Sequence, residues 1–144
     1  MEGVRTYTHP EAEELLPMVE PIVERAQGVA AEVRRCEANL RDLLTVYGDA
    51  VKEPGHEAHE ELKDFVHARE DNLERLREAA LELDELGIEL KDPEIGLIDF
   101  YSEVGDEIVF LCWKLGEDRI RYWHTLEGGF AGRQPLPDID LMEP

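Results

Sequence analysis

The sequence has few basic residues and no long apolar run. Lysine and arginine together number 15, against 35 aspartates and glutamates, and the formal net charge is −20 over 144 residues. This charge repels a phosphate backbone, and no basic run offsets it locally, so nucleic acid and anionic membrane surfaces are poor partners. Since the chain has neither an apolar run of membrane-spanning length nor a charged-then-apolar leader, we expect a cytoplasmic protein with no membrane contact.

Cysteine is also scarce. Cys36 and Cys112 are too few and too far apart to form a disulfide framework or a zinc site that spacing alone would define. We therefore expect reduced thiols. The chain is long enough to bury a core without covalent crosslinks, and we expect one domain over residues 1–144.

The first half of the chain has the apolar periodicity of a helix. Thr8 and Glu11 have the spacing of a capping box, which marks a helix start. Apolar residues then recur from Leu15 to Tyr47 at alternating steps of four and three, a heptad-type pattern typical of a coiled-coil seam. This pattern predicts a helix over about residues 10–46. Two prolines in its first part predict a kink or a separate first turn.

A second helix is predicted after a loop at residues 47–55, which contains two glycines and a proline. Its seam runs from His59 to Leu83, and Gly87 provides a C-terminal stop. The two helices form an antiparallel hairpin over residues 8–87. Because two helices alone cannot bury both apolar stripes, they must pack on a sheet, on a second copy, or on both. Arg69, the one charge in this seam, is interpreted as part of an interhelical ion pair.

Three histidines in the second helix and its preceding loop raise the question of a metal site. His56 and His67 each follow an acidic residue by three positions, a spacing found in di-iron bundles. However, His56 and His59 are not four residues apart as zinc proteases require. A solvated acidic face carrying histidines explains the pattern more simply, and we expect no metal and no cofactor.

From residue 88 the apolar period changes to two, which predicts an antiparallel sheet over residues 88–133. Strands are predicted at residues 95–101, 107–115 and 119–125, with a short edge strand at 88–90. The fold class is therefore α+β, a long helical hairpin followed by a sheet of three or four strands. The remaining residues, 134–144, are predicted to form an extended acidic tail.

Hairpin register assigns the side chains to two faces. A two-residue turn at Gly116–Glu117 predicts the opposite pairs Trp113 with Ile120, Leu111 with Tyr122, and Val109 with His124. His124 would then lie on the apolar face that the helices cover. Asp99, Cys112, Arg121 and Trp123 would lie on the other face, where an Asp99–Arg121 ion pair is the favoured interpretation. No base stands near Cys112 at a readable spacing, so the sequence gives little support to a nucleophile.

The glycine-rich segment after the last strand admits two interpretations. Its glycines can turn tightly and expose N–H groups to an anion, with Arg133 as a charged partner. A plain chain reversal that buries Phe130 would need the same glycines. For a ligand site the candidate residues are Asp99, Arg121, His124, Glu127 and Arg133.

Several short motifs together resemble one bacterial family. They are Gly96-Leu97-Ile98-Asp99-Phe100, Leu111-Cys112-Trp113, Leu115-Gly116-Glu117, Tyr122-Trp123-His124 and Gly129-Phe130-Ala131-Gly132-Arg133, with Glu11-Ala12 and Leu15-Leu16-Pro17 near the start. This ordered set is similar to the family catalogued as domain of unknown function 2203. The resemblance implies a bacterial, cytoplasmic, single-domain protein. It implies no activity, cofactor or catalytic residue.

Two classes of function follow as expectations. The first is a non-enzymatic binding or scaffold protein that acts as a homodimer, because the helical seams and the mixed sheet face both offer contact surfaces. The second is a small enzyme or sensor that binds an anionic metabolite at Gly128–Arg133, with His124 or Glu127 as acid or base. The density of polar residues and glycines at one strand end motivates it.

Overall fold

The computed structural model describes residues 4–136 and has an α+β fold, as predicted. The elements are α1 (His9–Tyr47), a 3-10 helix (Gly48–Lys52), α2 (His59–Glu85), β1 (Ile88–Asp92), β2 (Leu97–Val104), β3 (Glu107–Lys114), β4 (Tyr122–Thr125), a 3-10 helix (Phe130–Gly132) and β5 (Gln134–Pro135). The strands form one antiparallel sheet in the order β1-β2-β3-β4-β5, one strand more than the upper expectation. Of the predicted tail, residues 137–144 lie outside the described range.

The predicted capping box forms at the start of α1. The backbone N–H of Thr8 donates to Glu11 Oε1 at 2.8 Å, and the N–H of Glu11 donates to Thr8 Oγ1 at 3.2 Å. These bonds satisfy donors that have no partner within a helix. The helix continues without interruption through Pro17 and Pro21, so the alternative of a separate first turn is wrong. No helix within residues 4–136 has both the length and the apolarity that a membrane span needs.

The residues form two compact units. Of the described residues, 4–27 and 79–136 form the sheet unit, and 28–78 form the helical unit. In the sheet unit, one face of the sheet packs against the first turns of α1 and the last turns of α2. Its fully enclosed residues are Ala12, Val19, Val23, Leu83, Ile88, Ile98, Phe100, Leu111, Trp113 and Ile120. The helical unit has a smaller core, a cluster of Leu43, Val51 and Ala58, with Ala30, Val33 and Cys36 also buried along α1.

The side chains of β2 and β3 lie on the faces that were predicted, although the sequence had left two registers open. Ile98 pairs with Trp113 and Phe100 pairs with Leu111, and all four side chains face the helices. The turn consists of Gly105 and Asp106, between the end of β2 and the start of β3. Because successive side chains alternate between faces, Asp99 and Cys112 lie opposite each other on the far side of the sheet.

The register between β3 and β4 differs from the prediction by one residue. Leu111 pairs with Trp123 and Phe110 pairs with His124, whereas a two-residue turn would have placed Leu111 opposite Tyr122. A shift of one residue moves every side chain to the other face. Trp123 therefore packs against the helix-facing core. His124, predicted on that face, lies on the far face instead.

Contacts with α1 explain this difference. The connection between β3 and β4 is residues 115–121, and Ile120 within it is fully buried in the core. The backbone of Ile120 is held on both sides, because His9 Nε2 donates to its carbonyl at 2.8 Å and its N–H donates to Glu13 Oε2 at 3.3 Å. Glu13 also accepts a bond from Arg119 Nε at 3.1 Å. A seven-residue connection anchored in this way has no reason to follow the register of a two-residue turn.

Candidate functional site

The far face of the sheet brings together Asp99, Cys112 and His124, from β2, β3 and β4. Asp99 pairs directly with Cys112, and His124 is the diagonal neighbour of Cys112 through its pairing with Phe110. One ligand-type atom from each of the three side chains lies within 4.8 Å of the other two. All three residues are at most 1% exposed. We call this set the polar centre.

Hydrogen bonds fix the orientation of the His124 ring. Its Nε2 lies 2.9 Å from Asp99 Oδ2, and its Nδ1 lies 2.7 Å from the carbonyl oxygen of Thr125. Since a carbonyl oxygen can only accept, Nδ1 carries a proton and donates it. The nitrogen that faces the polar centre is therefore Nε2.

Burial changes the protonation behaviour of the other two groups. Removal from water raises the pKa of the Asp99 carboxyl, and the neighbouring His124 and Cys112 partly oppose that increase. Burial and the Asp99 carboxylate together raise the pKa of the Cys112 thiol to about 12. At neutral pH the thiol therefore keeps its proton, so Cys112 lacks the thiolate that a cysteine nucleophile requires.

Aromatic side chains lie beside the polar centre. The ring centroid of Phe110 is 5.2 Å from that of His124 and 4.6 Å from that of Tyr101. The ammonium group of Lys91 lies 4.7 Å from the centre of the Phe110 ring. Asp99 Oδ1 has no conventional hydrogen-bond partner. Besides His124, the weakly donating thiol of Cys112 and the positive charge of Lys91 act on this carboxyl.

The predicted ion pair between Asp99 and Arg121 is wrong. Arg121 precedes β4 and makes a two-pronged ion pair with Asp118, with bonds of 3.0 and 2.9 Å, on an exposed surface. Asp99 is paired with His124 instead. The physical reason is the shifted register, which brings His124 to the far face and leaves Arg121 outside the strand.

The positive charge of Arg133 partly opposes the increase in the pKa of the Cys112 thiol. However, the Arg133 guanidinium is already paired. Its Nη2 donates to both carboxylate oxygens of Glu117, at 2.9 and 3.0 Å, and both side chains are largely buried. The guanidinium carbon also lies 3.8 Å from the Tyr122 ring centre, a stacking contact. An anion at Arg133 would therefore have to compete with Glu117.

The glycine-rich segment uses several of its N–H groups internally. The N–H groups of Gly128, Gly132 and Arg133 donate to the carbonyls of Thr125, Gly129 and Phe130. Glu127 is exposed in the same segment. Of the five predicted site residues, the structure thus joins Asp99 and His124 in the polar centre, with Arg133 nearby and Arg121 and Glu127 elsewhere. Anion binding at Gly128–Arg133 stays a prediction.

Sequence reasoning missed Cys112 as a member of this site. The alternation of β2 and β3 had already placed Asp99 and Cys112 on one face, and that part of the register is confirmed. Of the three members of the polar centre, only His124 was predicted on the wrong face. Because the predicted register placed His124 on the opposite face, the sequence showed no base or fellow ligand beside Cys112.

Two histidines of the helical unit, His56 and His59, make hydrogen bonds within the loop between the helices. His56 Nδ1 accepts the N–H of Ala58 at 3.0 Å, and His59 Nδ1 lies 3.0 Å from the carbonyl of Val51. Within residues 4–136, no group of three or more potential metal ligands close in space includes His56, His59 or His67.

A family model described as an uncharacterized conserved protein, domain of unknown function 2203, matches residues 5–136. The match covers most of the chain and includes every motif that suggested the resemblance. No curated protein and no solved structure matches the chain.

Proposed function

Since the chain belongs to this uncharacterized family, domain of unknown function 2203, we propose its function from its own structure: a non-enzymatic binding or scaffold protein that acts as a homodimer. The helical unit is the proposed dimerisation surface. The observation that carries the proposal is how incompletely this unit buries its apolar residues.

The helical unit has apolar surface that it does not cover itself. Between His59 and Glu78, no residue of α2 is fully buried, and this includes Leu62 and Phe65, which pack against the small core. The larger partly buried apolar residues of this stretch are Leu62, Phe65, Val66, Leu73 and Leu76. We call them the α2 row.

The end of α1 adds to this apolar surface. Val46 is 71% exposed, and Leu44 and Tyr47 are each 37% exposed. Isolated exposed apolar residues are ordinary, but three within four positions beside a half-covered helix form a larger patch. A second helical hairpin would bury both the patch and the α2 row, as in a four-helix bundle built by two-fold symmetry.

The polar centre supports binding over catalysis. It is closed to solvent, and its thiol is protonated at neutral pH. Covalent catalysis by Cys112 would need both a path for substrate and a thiolate. These features favour a protein that holds a partner or an ion over one that turns over a substrate.

Sedimentation equilibrium at micromolar concentration tests the proposal. The wild type is expected to sediment as a dimer. Leu73→Glu places a charge in the α2 row and is expected to shift the protein to monomer, because a buried unpaired carboxylate opposes association. Arg75→Glu, on the exposed side of α2, changes the net charge further and should leave the dimer intact.

Circular dichroism shows whether each variant keeps its helices. A monomeric wild type would contradict the homodimer. A dimer that survives Leu73→Glu would place the interface elsewhere and contradict the role of the α2 row.

A further inference from the structure

We infer that Asp99, Cys112 and His124 bind a divalent transition-metal ion of the zinc type. This inference rests on the sheet unit alone and does not depend on the proposed dimer. It assigns the polar centre a ligand class that the sequence, with its scattered cysteines and histidines, did not predict.

The three side chains are positioned by neighbouring strands of one sheet. Asp99 and Cys112 are directly paired, and His124 lies on the next strand, two residues beyond the Tyr122 that pairs with Cys112. Their ligand atoms already lie within 4.8 Å of one another, so small side-chain rotations suffice to bring all three onto one ion. Ligands on paired strands are held more precisely than ligands on loops.

The tautomer of His124 suits metal binding. A histidine ligand usually donates its second ring N–H to a backbone carbonyl or carboxylate, which orients the ring and makes the ligating nitrogen more basic. Nδ1 of His124 makes this bond to the Thr125 carbonyl at 2.7 Å. Nε2, with its lone pair, faces Asp99 and Cys112.

With this tautomer, a cation is required between His124 Nε2 and the Asp99 carboxylate. With its proton on Nδ1, His124 presents a lone pair at Nε2, only 2.9 Å from an oxygen of Asp99, which also accepts. Two acceptors at this distance require a proton or a metal ion between them. The second oxygen of Asp99, in a residue only 1% exposed, has no conventional hydrogen-bond partner. A buried polar atom left in this way indicates a missing partner.

The chemistry of the donors selects the kind of ion. A thiolate and an imidazole favour zinc or cobalt(II) over calcium or magnesium, which prefer oxygen ligands alone. A thiolate, a carboxylate and a neutral imidazole carry two negative charges, so a divalent ion makes the site neutral. Neutrality matters because an uncompensated charge is costly in a buried position.

Binding releases protons. The Cys112 thiol loses its proton as the metal–sulfur bond forms, and any proton shared by Asp99 and His124 also leaves for solvent. Three protein ligands leave a fourth position for water or an added ligand. Because the site is enclosed, we expect loading during folding to be faster than loading of the folded protein.

Cobalt(II) gives a direct measurement. The full chain, unfolded in denaturant with a chelator and a reductant, is refolded with cobalt chloride or zinc chloride and then passed through a desalting column. We expect about one metal ion per chain by elemental analysis. The cobalt protein should also show the near-ultraviolet thiolate-to-cobalt charge-transfer band.

The second cysteine provides a matched control. Cys36, also buried but in the helical unit, is the only other thiol. Cys36→Ser should keep both the stoichiometry and the band, and any band it shows must come from Cys112. Cys112→Ser should lose the band and weaken metal affinity by more than about a hundredfold, since loss of a mere supporting residue already costs tenfold to a hundredfold.

Three outcomes would overturn the inference. They are a metal-free wild type after refolding with either ion, a charge-transfer band that disappears in Cys36→Ser, and a band that persists in Cys112→Ser. If Cys112→Ser does not fold, the wild type and Cys36→Ser still decide the question. A metal-free dimer would overturn the metal site alone, and a metal-loaded monomer would overturn the dimer alone.

Discussion

The sheet unit and the helical unit differ in how completely each buries its own apolar residues. In the sheet unit, large side chains such as Phe100, Trp113 and Leu83 are fully enclosed between the sheet and two helices. In the helical unit, the largest buried cluster is Leu43, Val51 and Ala58 with partly buried neighbours, and Ala30, Val33 and Cys36 are the other buried apolar residues. Two layers enclose a core, and two helices alone do not. Composition adds to this difference of architecture, because residues 28–78 contain no isoleucine and no tryptophan.

The largest expected effect contrasts the two cores directly. Phe100→Ala should lower the free energy of unfolding by about 3–5 kcal/mol, because it empties a site with no solvent access. Leu73→Ala, in the α2 row, should cost only about 1 kcal/mol, because part of that side chain is already in water. Urea unfolding at one protein concentration, followed by circular dichroism, measures both. Equal losses would show that the helical unit is as well packed as the sheet unit.

A smaller contrast uses two glycines with nearly the same backbone conformation. Gly96 in the sheet unit has φ 67°, and an added Cβ would lie 2.6 Å from Leu115 Cβ and 3.1 Å from Val23 Cγ1. Gly48 in the helical unit has φ 66° and nothing within 4 Å of the same position. Alanine at either position is strained by the left-handed backbone, but only at Gly96 does the added Cβ also meet close-packed neighbours.

Gly96→Ala is therefore expected to cost about 3 kcal/mol and Gly48→Ala about 1–2 kcal/mol. Thermal and urea unfolding of the two variants measure the difference. A Gly48→Ala variant as unstable as Gly96→Ala would mean that backbone strain, and not packing around Leu115, dominates at Gly96.

The smallest effect concerns the capping box of the sheet unit. Thr8→Ala should cost about 1 kcal/mol at neutral pH, because it removes the acceptor of one helix-terminal N–H. Hydrogen bonds from the Thr8 backbone N–H and then its side chain hold the pKa of Glu11 below its usual value. A lowered pKa means that Glu11 stabilises the fold above the unfolded-state pKa, and that this contribution disappears as pH falls through the folded-state pKa.

Glu11→Gln should therefore be less stable than wild type at neutral pH and indistinguishable from it in acid well below the ordinary glutamate pKa. Urea unfolding at the two pH values tests this, with Glu14→Gln, on the same helix, as the control. A gap between wild type and Glu11→Gln that persists in acid would contradict a charge-dependent cap.

Local patterns were sufficient for much of the fold. The spacing of Thr8 and Glu11 predicted the helix start, and the seam from His59 predicted α2, because capping and amphipathicity depend on near neighbours. The division of the β2 and β3 side chains between two faces was predicted for the same reason, since both strands alternate clearly, whereas their exact register was left open. These features need no information from distant parts of the chain.

The candidate site needed such information. The position of His124 depends on how residues 115–121 are held, and they are held by His9 and Glu13 at the start of α1. These bonds from the start of α1 cannot be predicted from the alternation of the hairpin strands or from turn preferences. A one-residue error followed, and it separated His124 from Asp99 and Cys112. The predicted Asp99–Arg121 pair failed for the same reason.

The bond between His9 and the Ile120 carbonyl spans 111 residues of sequence. During synthesis the first helix is made long before residue 120. His9 and Glu13 therefore have no Ile120 to bind until most of the chain has been synthesised. Contacts of such long sequence separation are slow to form, because loop closure precedes any stabilisation. We therefore expect the register of β4 to be fixed late in folding, when the connection that carries Ile120 meets the start of α1.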